Sequence, residues 1–263
     1  MTDSSASLTG VLPGDRFAEL TGPLAGTTRM RLEVVASEPL TPVMQQVVLT
    51  APELATFSFR PGQDVMLRVA VTGGRPVRRR YTVRGADRER QLLTLNIVRH
   101  ADGPGERWVA SAEPGDAIEG IGPRGKIYPR QDAQWHLFMG DESALPAFFA
   151  MAESLPAGTP AAVVLEVPGQ QDEQPLAAAA DVSLSWLHRG SGPAGQPGAL
   201  AAAAGQVPLP AGRGQAYLAG EAKVVLALRE VLTGRGLAPD QLSPKAYWGR
   251  GKANAEHGEP GRG

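Results

Sequence analysis

RRRYTVR, residues 78–84, is the stretch on which the fold of the first half turns. Side chains alternate across a strand, so Arg79, Tyr81 and Val83 share one face while Arg80, Thr82 and Arg84 share the other. An aromatic ring beside guanidinium groups suits a ligand with both a planar ring and phosphates: Tyr81 offers stacking, Thr82 a hydrogen bond and Arg79 a charge-assisted clamp. A solvated basic strand with one core tyrosine fits the same residues, and the stretch alone leaves both readings open. On either side lie further short β-type runs, at 31–37, 45–50, 64–71, 92–98 and 116–121, punctuated by Pro39, Pro42, Pro61-Gly62, Gly73-Gly74, Pro114-Gly115 and Gly122-Pro123. Short strands separated by such turn signals read as an antiparallel barrel.

After Tyr128 the pattern changes to apolar strands alternating with helical stretches, the pattern of a parallel βαβ sheet. WHLFM (135–139) precedes a helix near 144–154, and 162–167, 182–187 and 216–220 are later strands. In the helical segment after AYLAG (216–220), Val224, Val225, Leu228, Val231 and Leu232 line one stripe. The Ala-rich pieces at 177–180 and 199–205 fit either short helices or a loop. Residues 1–28 and 252–263 are read as flexible tails, 29–130 as the barrel domain and 131–251 as the α/β domain.

Composition removes several kinds of chemistry. The chain has 263 residues and no cysteine, which excludes disulfides, thiolate zinc sites, cysteine nucleophiles and iron–sulfur clusters. Four histidines at no ligand-like spacing argue against a protein-held catalytic metal. No run approaches the ~20 apolar residues of a membrane span, and residues 1–10 lack the basic and apolar parts of an export signal, so a cytoplasmic location is expected. Net charge is −1, but residues 29–130 carry 16 basic and 11 acidic side chains, whereas 131–263 carry 9 and 13. The first half therefore favours anions. Only Lys126, Lys223, Lys245 and Lys252 among the 26 basic residues are lysines; the rest are guanidinium groups suited to phosphate or carboxylate. A nucleic-acid partner is not expected, because the second half is acidic and no broad basic surface is evident.

Two further clusters carry chemistry. HADGPGERW (100–108) runs from a strand into a short helix; Gly103 and Gly105 let the backbone approach a ligand, Pro104 suits a first helical turn, and that turn's amides bind anions. An ordinary glycine turn before a helix reads the same way. GDESALP (140–146) stands where a strand hands over to a helix, the carboxyl edge at which parallel sheets bind ligands. Its acidic pair would repel a pyrophosphate, and as capping chemistry Asp141 to Ser143 simply start the helix. A similar strand end recurs at Ala219-Gly220-Glu221.

Together, RRYTVR, HADGPGERW, GPRGK (122–126), GDESALPA, WLHR (186–189), AGE (219–221) and AYWGRG (246–251), in this order, resemble the siderophore-interacting proteins, a flavin-dependent branch of the ferredoxin reductase-like superfamily. The resemblance runs from about Arg29 to Gly251. It implies a β + α/β fold, with an N-terminal antiparallel Greek-key β-barrel holding FAD and a C-terminal α/β domain receiving NADH or NADPH. Electrons would pass to iron(III) in a ferric siderophore. By the same resemblance, Arg79, Arg80, Tyr81, Thr82 and Val83 hold the flavin's phosphate and ring, and His100, Gly103, Pro104, Gly105 and Trp108 line the FAD site. Asp141, Glu142, Ser143, Ala144, Leu145 and Pro146 line the nicotinamide side with Gly220 and Glu221. Trp248 closes the cleft.

Three departures from the family pattern bear on the acceptor. Glu106 stands where many members carry Ser or Ala, and is expected to turn to solvent or pair with Arg107; Met66 replaces a frequent lysine; Gly249 replaces an arginine, with Arg250 following. Basic groups near the flavin are expected to attract an anionic ferric siderophore, which leaves Arg124 first and Arg250 second as acceptor-binding residues. A related reductase passing electrons to a quinone, a protein or another soluble chelate is the alternative. For a 2′-phosphate on the nicotinamide cosubstrate, Arg189 and Lys223 are the candidate cations.

Overall fold

The computed structural model describes residues 26–71, 73–99 and 103–250. Six strands form the first unit: β1 (Thr28–Thr41), β2 (Met44–Thr50), β3 (Asp64–Val69), β4 (Val77–Asp87), β5 (Leu92–Val98) and β6 (Ala117–Arg124). They close in the order β1-β2-β5-β4-β3-β6, every pair antiparallel, which is a Greek-key path. Alternation drives it: Val65, Leu67 and Val69 of β3 and Leu93, Leu95 and Ile97 of β5 point inward to one apolar core. Helix α1 (Pro104–Ser111) stoppers this core with Val109.

The second unit is a five-stranded parallel sheet ordered β11-β10-β7-β8-β9, built from β7 (Trp135–Asp141), β8 (Pro160–Val167), β9 (Asp181–His188), β10 (Gly214–Glu221) and β11 (Leu242–Trp248). The inner strands β7 and β10 are buried throughout, as expected of a sheet covered on both faces. Helix α2 (Leu145–Glu153) covers one face with Phe148 and Phe149. The other face carries α3 (Gly198–Gln206) and α4 (Ala222–Gly234), whose buried stripe is Val224, Val225, Leu228 and Leu232.

The barrel and the sheet share contacts. Met44 of the barrel belongs to the core under α2, Arg84 of β4 forms a two-pronged ion pair with Glu153 of α2 at 2.6 and 2.7 Å, and Lys245 of β11 reaches Asp64 of β3 at 3.1 Å. Of the Ala-rich pieces, 199–205 lies in α3 and 177–180 is irregular. No helix among the described residues is long and apolar enough to cross a membrane.

Candidate functional site

On β4, the two faces anticipated from alternation are realised. Tyr81 packs against the barrel core beside Val83 and meets the Trp108 ring at a centroid distance of 6.0 Å. Burial pushes the Tyr81 phenol pKa up, against the pull of the Arg79 guanidinium. The start of α1 lies directly on these two side chains: a Cβ at Gly105 would sit 2.6 Å from Tyr81 Oη and 3.4 Å from Arg79 Cγ, so only glycine fits. Gly103 caps α1 without a side-chain oxygen, and the first helical hydrogen bond runs from the Arg107 N–H to the Gly103 carbonyl at 3.0 Å. The N–H groups of Gly105 and Glu106 precede that bond and have no intrahelical acceptor. A guanidinium, two open amides and a positive helix end thus converge beside a tyrosine ring.

On the opposite face of β4, Arg80 donates to both oxygens of Asp64, at 2.9 and 2.7 Å. Lys245 donates to the same carboxylate, so two cations hold one anion. Thr82 is the register partner of Asp64, and this bridge brings β11 alongside the Tyr81-Thr82 pair. Arg124 approaches the Met66 thioether, Nη1 to Sδ 3.0 Å.

At the carboxyl edge of the sheet, Asp141 is a junction. Its Oδ1 accepts from the Ser143 N–H at 2.9 Å and from the Ser143 hydroxyl, and its Oδ2 accepts from the Glu221 N–H and Trp248 Nε1, both at 2.9 Å. One carboxylate therefore pins the ends of β7, β10 and β11. Burial and the neighbouring Glu142 raise the Asp141 pKa, and the donated hydrogen bonds oppose them. Gly220, at φ +133°, is required here because a Cβ would come within 2.5 Å of Asp141 Oδ2. Glu221 caps α4 through the Lys223 and Val224 amides and accepts from the Arg250 N–H at 3.2 Å.

The donor set fits a flavin dinucleotide: Arg79 and the amides of Gly105 and Glu106 suit its pyrophosphate, Tyr81 its ring system and Thr82 a hydrogen bond to the ring edge. Residues 66–127 match the siderophore-interacting FAD-binding domain, and residues 133–251 match the siderophore-interacting protein family. A siderophore utilization protein from T. fusca superposes with a TM-score of 0.77 at 32% identity, covering 88% of this chain and 97% of that one. The chain belongs to the siderophore-interacting proteins. Among other relatives, the ferric vibriobactin reductase of Vibrio cholerae is 36% identical over 182 residues, which span 68% of this chain and 66% of that protein. The NADPH-dependent ferric-chelate reductase of Escherichia coli is 29% identical over 67% of this chain and 68% of its own length.

The site residues expected from sequence fall into three groups. Arg79, Tyr81, Gly103, Pro104, Gly105 and Trp108 gather around the start of α1, and Asp141, Ser143, Gly220, Glu221 and Trp248 gather at the strand ends. Val83, Ala144, Leu145 and Pro146 have core side chains, so a ligand reaches only their backbone. Glu142 turns away to a two-pronged bond with Arg189, both contacts 2.6 Å. That pair leaves Arg189 spent on a carboxylate rather than facing a 2′-phosphate. Glu106 differs from expectation as well: it lies 3.4 Å from Arg99 instead of pairing with Arg107 or turning outward. His100 lies outside the described residues, as do residues 1–25 and 252–263 of the two expected tails and residue 251 at the end of the α/β domain. Asp64 and Lys245 were not anticipated; the only sequence signal was the carboxylate of PGQDV at a strand start, and Lys245 carried none.

Proposed function

We propose that this siderophore-interacting protein is an FAD-dependent NAD(P)H reductase that converts ferric siderophore iron to Fe(II). The observation carrying this reading is the convergence of Arg79, Tyr81 and the uncapped, glycine-lined start of α1 beside Thr82, within a stretch matching an FAD-binding domain. Bound FAD would supply the conversion between a two-electron hydride donor and one-electron acceptors. The net reaction balances as NAD(P)H plus two ferric chelates giving NAD(P)+, a proton and two ferrous chelates. Iron is substrate here, and its ferrous form is held less tightly by hard oxygen ligands, which favours release.

This chain's residues bind and orient. Arg79 and the α1 amides hold pyrophosphate, Tyr81 supports the ring, and Thr82 donates or accepts at the ring edge. On the other side of the cleft, Asp141 fixes Trp248 and the end of β10, so the nicotinamide-receiving edge is rigid before any cosubstrate arrives. The work divides between residues 29–130, which hold FAD, and 131–251, which receive NAD(P)H. Arg124 binds the anionic chelate, with Arg250 second, because Arg80 and Lys245 are committed to Asp64. A reaction supplied by NAD(P)H belongs in the cytoplasm.

Met66 favours a second reading. Arg124 rests on a thioether where a lysine would have added charge, so a quinone or another acceptor becomes a real competitor for the electrons. Turnover with a ferric catecholate, a ferric hydroxamate and a quinone, with Fe(II) trapped by a chromogenic chelator, separates the two. The proposal expects Fe(II) to appear with NAD(P)H consumption on at least one ferric chelate and R124A to raise its KM. Quinone turnover with no Fe(II) from either chelate would support the second reading.

A further inference from the structure

Glu166 is a carboxylate that nothing in the flavin reading uses. It stands at the end of β8 in register with Asp141 of β7, and alternation puts both on the sheet face that Val164 and Met139 present to α3 and α4. Its side chain is only 5% exposed, yet neither oxygen is sealed from solvent and neither takes a hydrogen bond from a described residue. Arg189 Nη1, at 3.9 Å, is too far to donate. Burial raises the Glu166 pKa, and Glu142 and Asp141 add to this against the pull of Arg189, so these strand ends are short of positive charge. The cations that could relieve the shortage are committed or distant. Arg189 is clamped by Glu142, His188 lies 2.8 Å from Glu173, and Lys223 stands in the first turn of α4, after β10, two strands from β8.

The direction of a bound dinucleotide follows from the topology. With the nicotinamide at the ends of β7, β10 and β11, the adenosine half has no room to continue past β11, because that edge strand is tied to the barrel through Lys245 and Asp64. It extends the other way, over β8 and β9, and β8 lies one strand spacing, about 4.8 Å, from β7. An acidic acceptor at the end of the second strand of a βαβ unit is where dinucleotide-binding sheets hold a ribose hydroxyl. We propose that Glu166 accepts a hydrogen bond from the 2′-hydroxyl of the adenosine ribose and so makes NADH the preferred hydride donor over NADPH. A 2′-phosphate would bring negative charge against Glu166, Asp141 and Glu142, and the nearby cation, Arg189, is already shared between two of those acids. The inference rests on the NAD(P)H reductase reading above and decides between its two donors.

The test uses the flavin-loaded full chain. Anaerobic bleaching of the flavin at rising NADH or NADPH gives an apparent Kd for each, and calorimetry with ADP-ribose and 2′-phospho-ADP-ribose, which carry no hydride, reads the adenosine half alone. Wild type is expected to favour NADH and ADP-ribose by about tenfold or more, the scale of one hydrogen bond to a charged group. E166A is expected to lose that margin by weakening the ligands that bear a 2′-hydroxyl. E166Q, whose carbonyl oxygen still accepts, is expected to keep ADP-ribose binding and to gain affinity for 2′-phospho-ADP-ribose, because the charge is gone. Equal affinities in wild type, or tighter NADPH, overturn the proposal, as does an E166A variant in which both kinds of ligand weaken alike, the mark of a merely structural carboxylate. If neither nucleotide bleaches the flavin, the reductase reading itself fails. Thermal midpoints of both variants check folding, and the wild-type comparison with E166Q carries the result if E166A is unstable.

Discussion

Asp141 shows how a residue chosen for one reason does another job. The sequence placed it at a strand end beside Glu142, where the pair reads either as ligand-facing acids or as a helix start. The structure separates them: Glu142 closes on Arg189, while Asp141 gathers donors from Ser143, Glu221 and Trp248. GDESALP by itself does not reveal this, because two of the four donors, the Glu221 N–H and Trp248 Nε1, come from the ends of β10 and β11. In D141N the amide nitrogen faces donors on one side, leaving at least one of them unsatisfied at roughly 1–3 kcal/mol. We therefore expect D141N to lower the denaturation midpoint and to change Trp248 emission, with KM for NAD(P)H rising more than FAD affinity falls. A variant that melts like wild type with unaltered cosubstrate binding would remove Asp141 from the positioning role.

At the scale of elements, the strands were legible wherever apolar and polar residues alternate, as in β3 and β5, and α4 was legible from its stripe. β11 was not. Its sequence LSPKAYW contains Pro244 and Lys245, which argue against a strand until it is seen to lie at a sheet edge, where proline is tolerated. The charge on Lys245 is explained only by Asp64, 181 residues away in sequence. The α1 start was legible as a glycine turn, but its contact with β4 was not, since it depends on how the barrel closes. That contact makes G105A informative. The new methyl would meet Tyr81 Oη and the Arg79 stem, so overpacking of about 1–3 kcal/mol is expected. Because strand and helix would have to part at the phosphate end of the site, flavin uptake should fall more steeply than thermal stability, as read from bound-flavin absorbance beside a melt.

For the molecule as a whole, a barrel and a parallel sheet are joined by a shared apolar contact at Met44 and by the Arg84–Glu153 and Asp64–Lys245 bridges. The Asp64–Lys245 bridge ties β11, at the edge of the sheet, to the barrel strand on which Asp64 stands in register with Thr82. The account therefore depends on one cofactor lodging between the two units and passing reducing equivalents across them, since a cysteine-free chain has no thiol–disulfide or iron–sulfur centre. The most direct test is an absorbance spectrum of the purified full chain, followed by anaerobic addition of NADPH or NADH and then of a ferric chelate. The account predicts flavin bands in the visible, their bleaching by the reduced nicotinamide and their return when the chelate is added. A colourless chain that takes up no added FAD would contradict it.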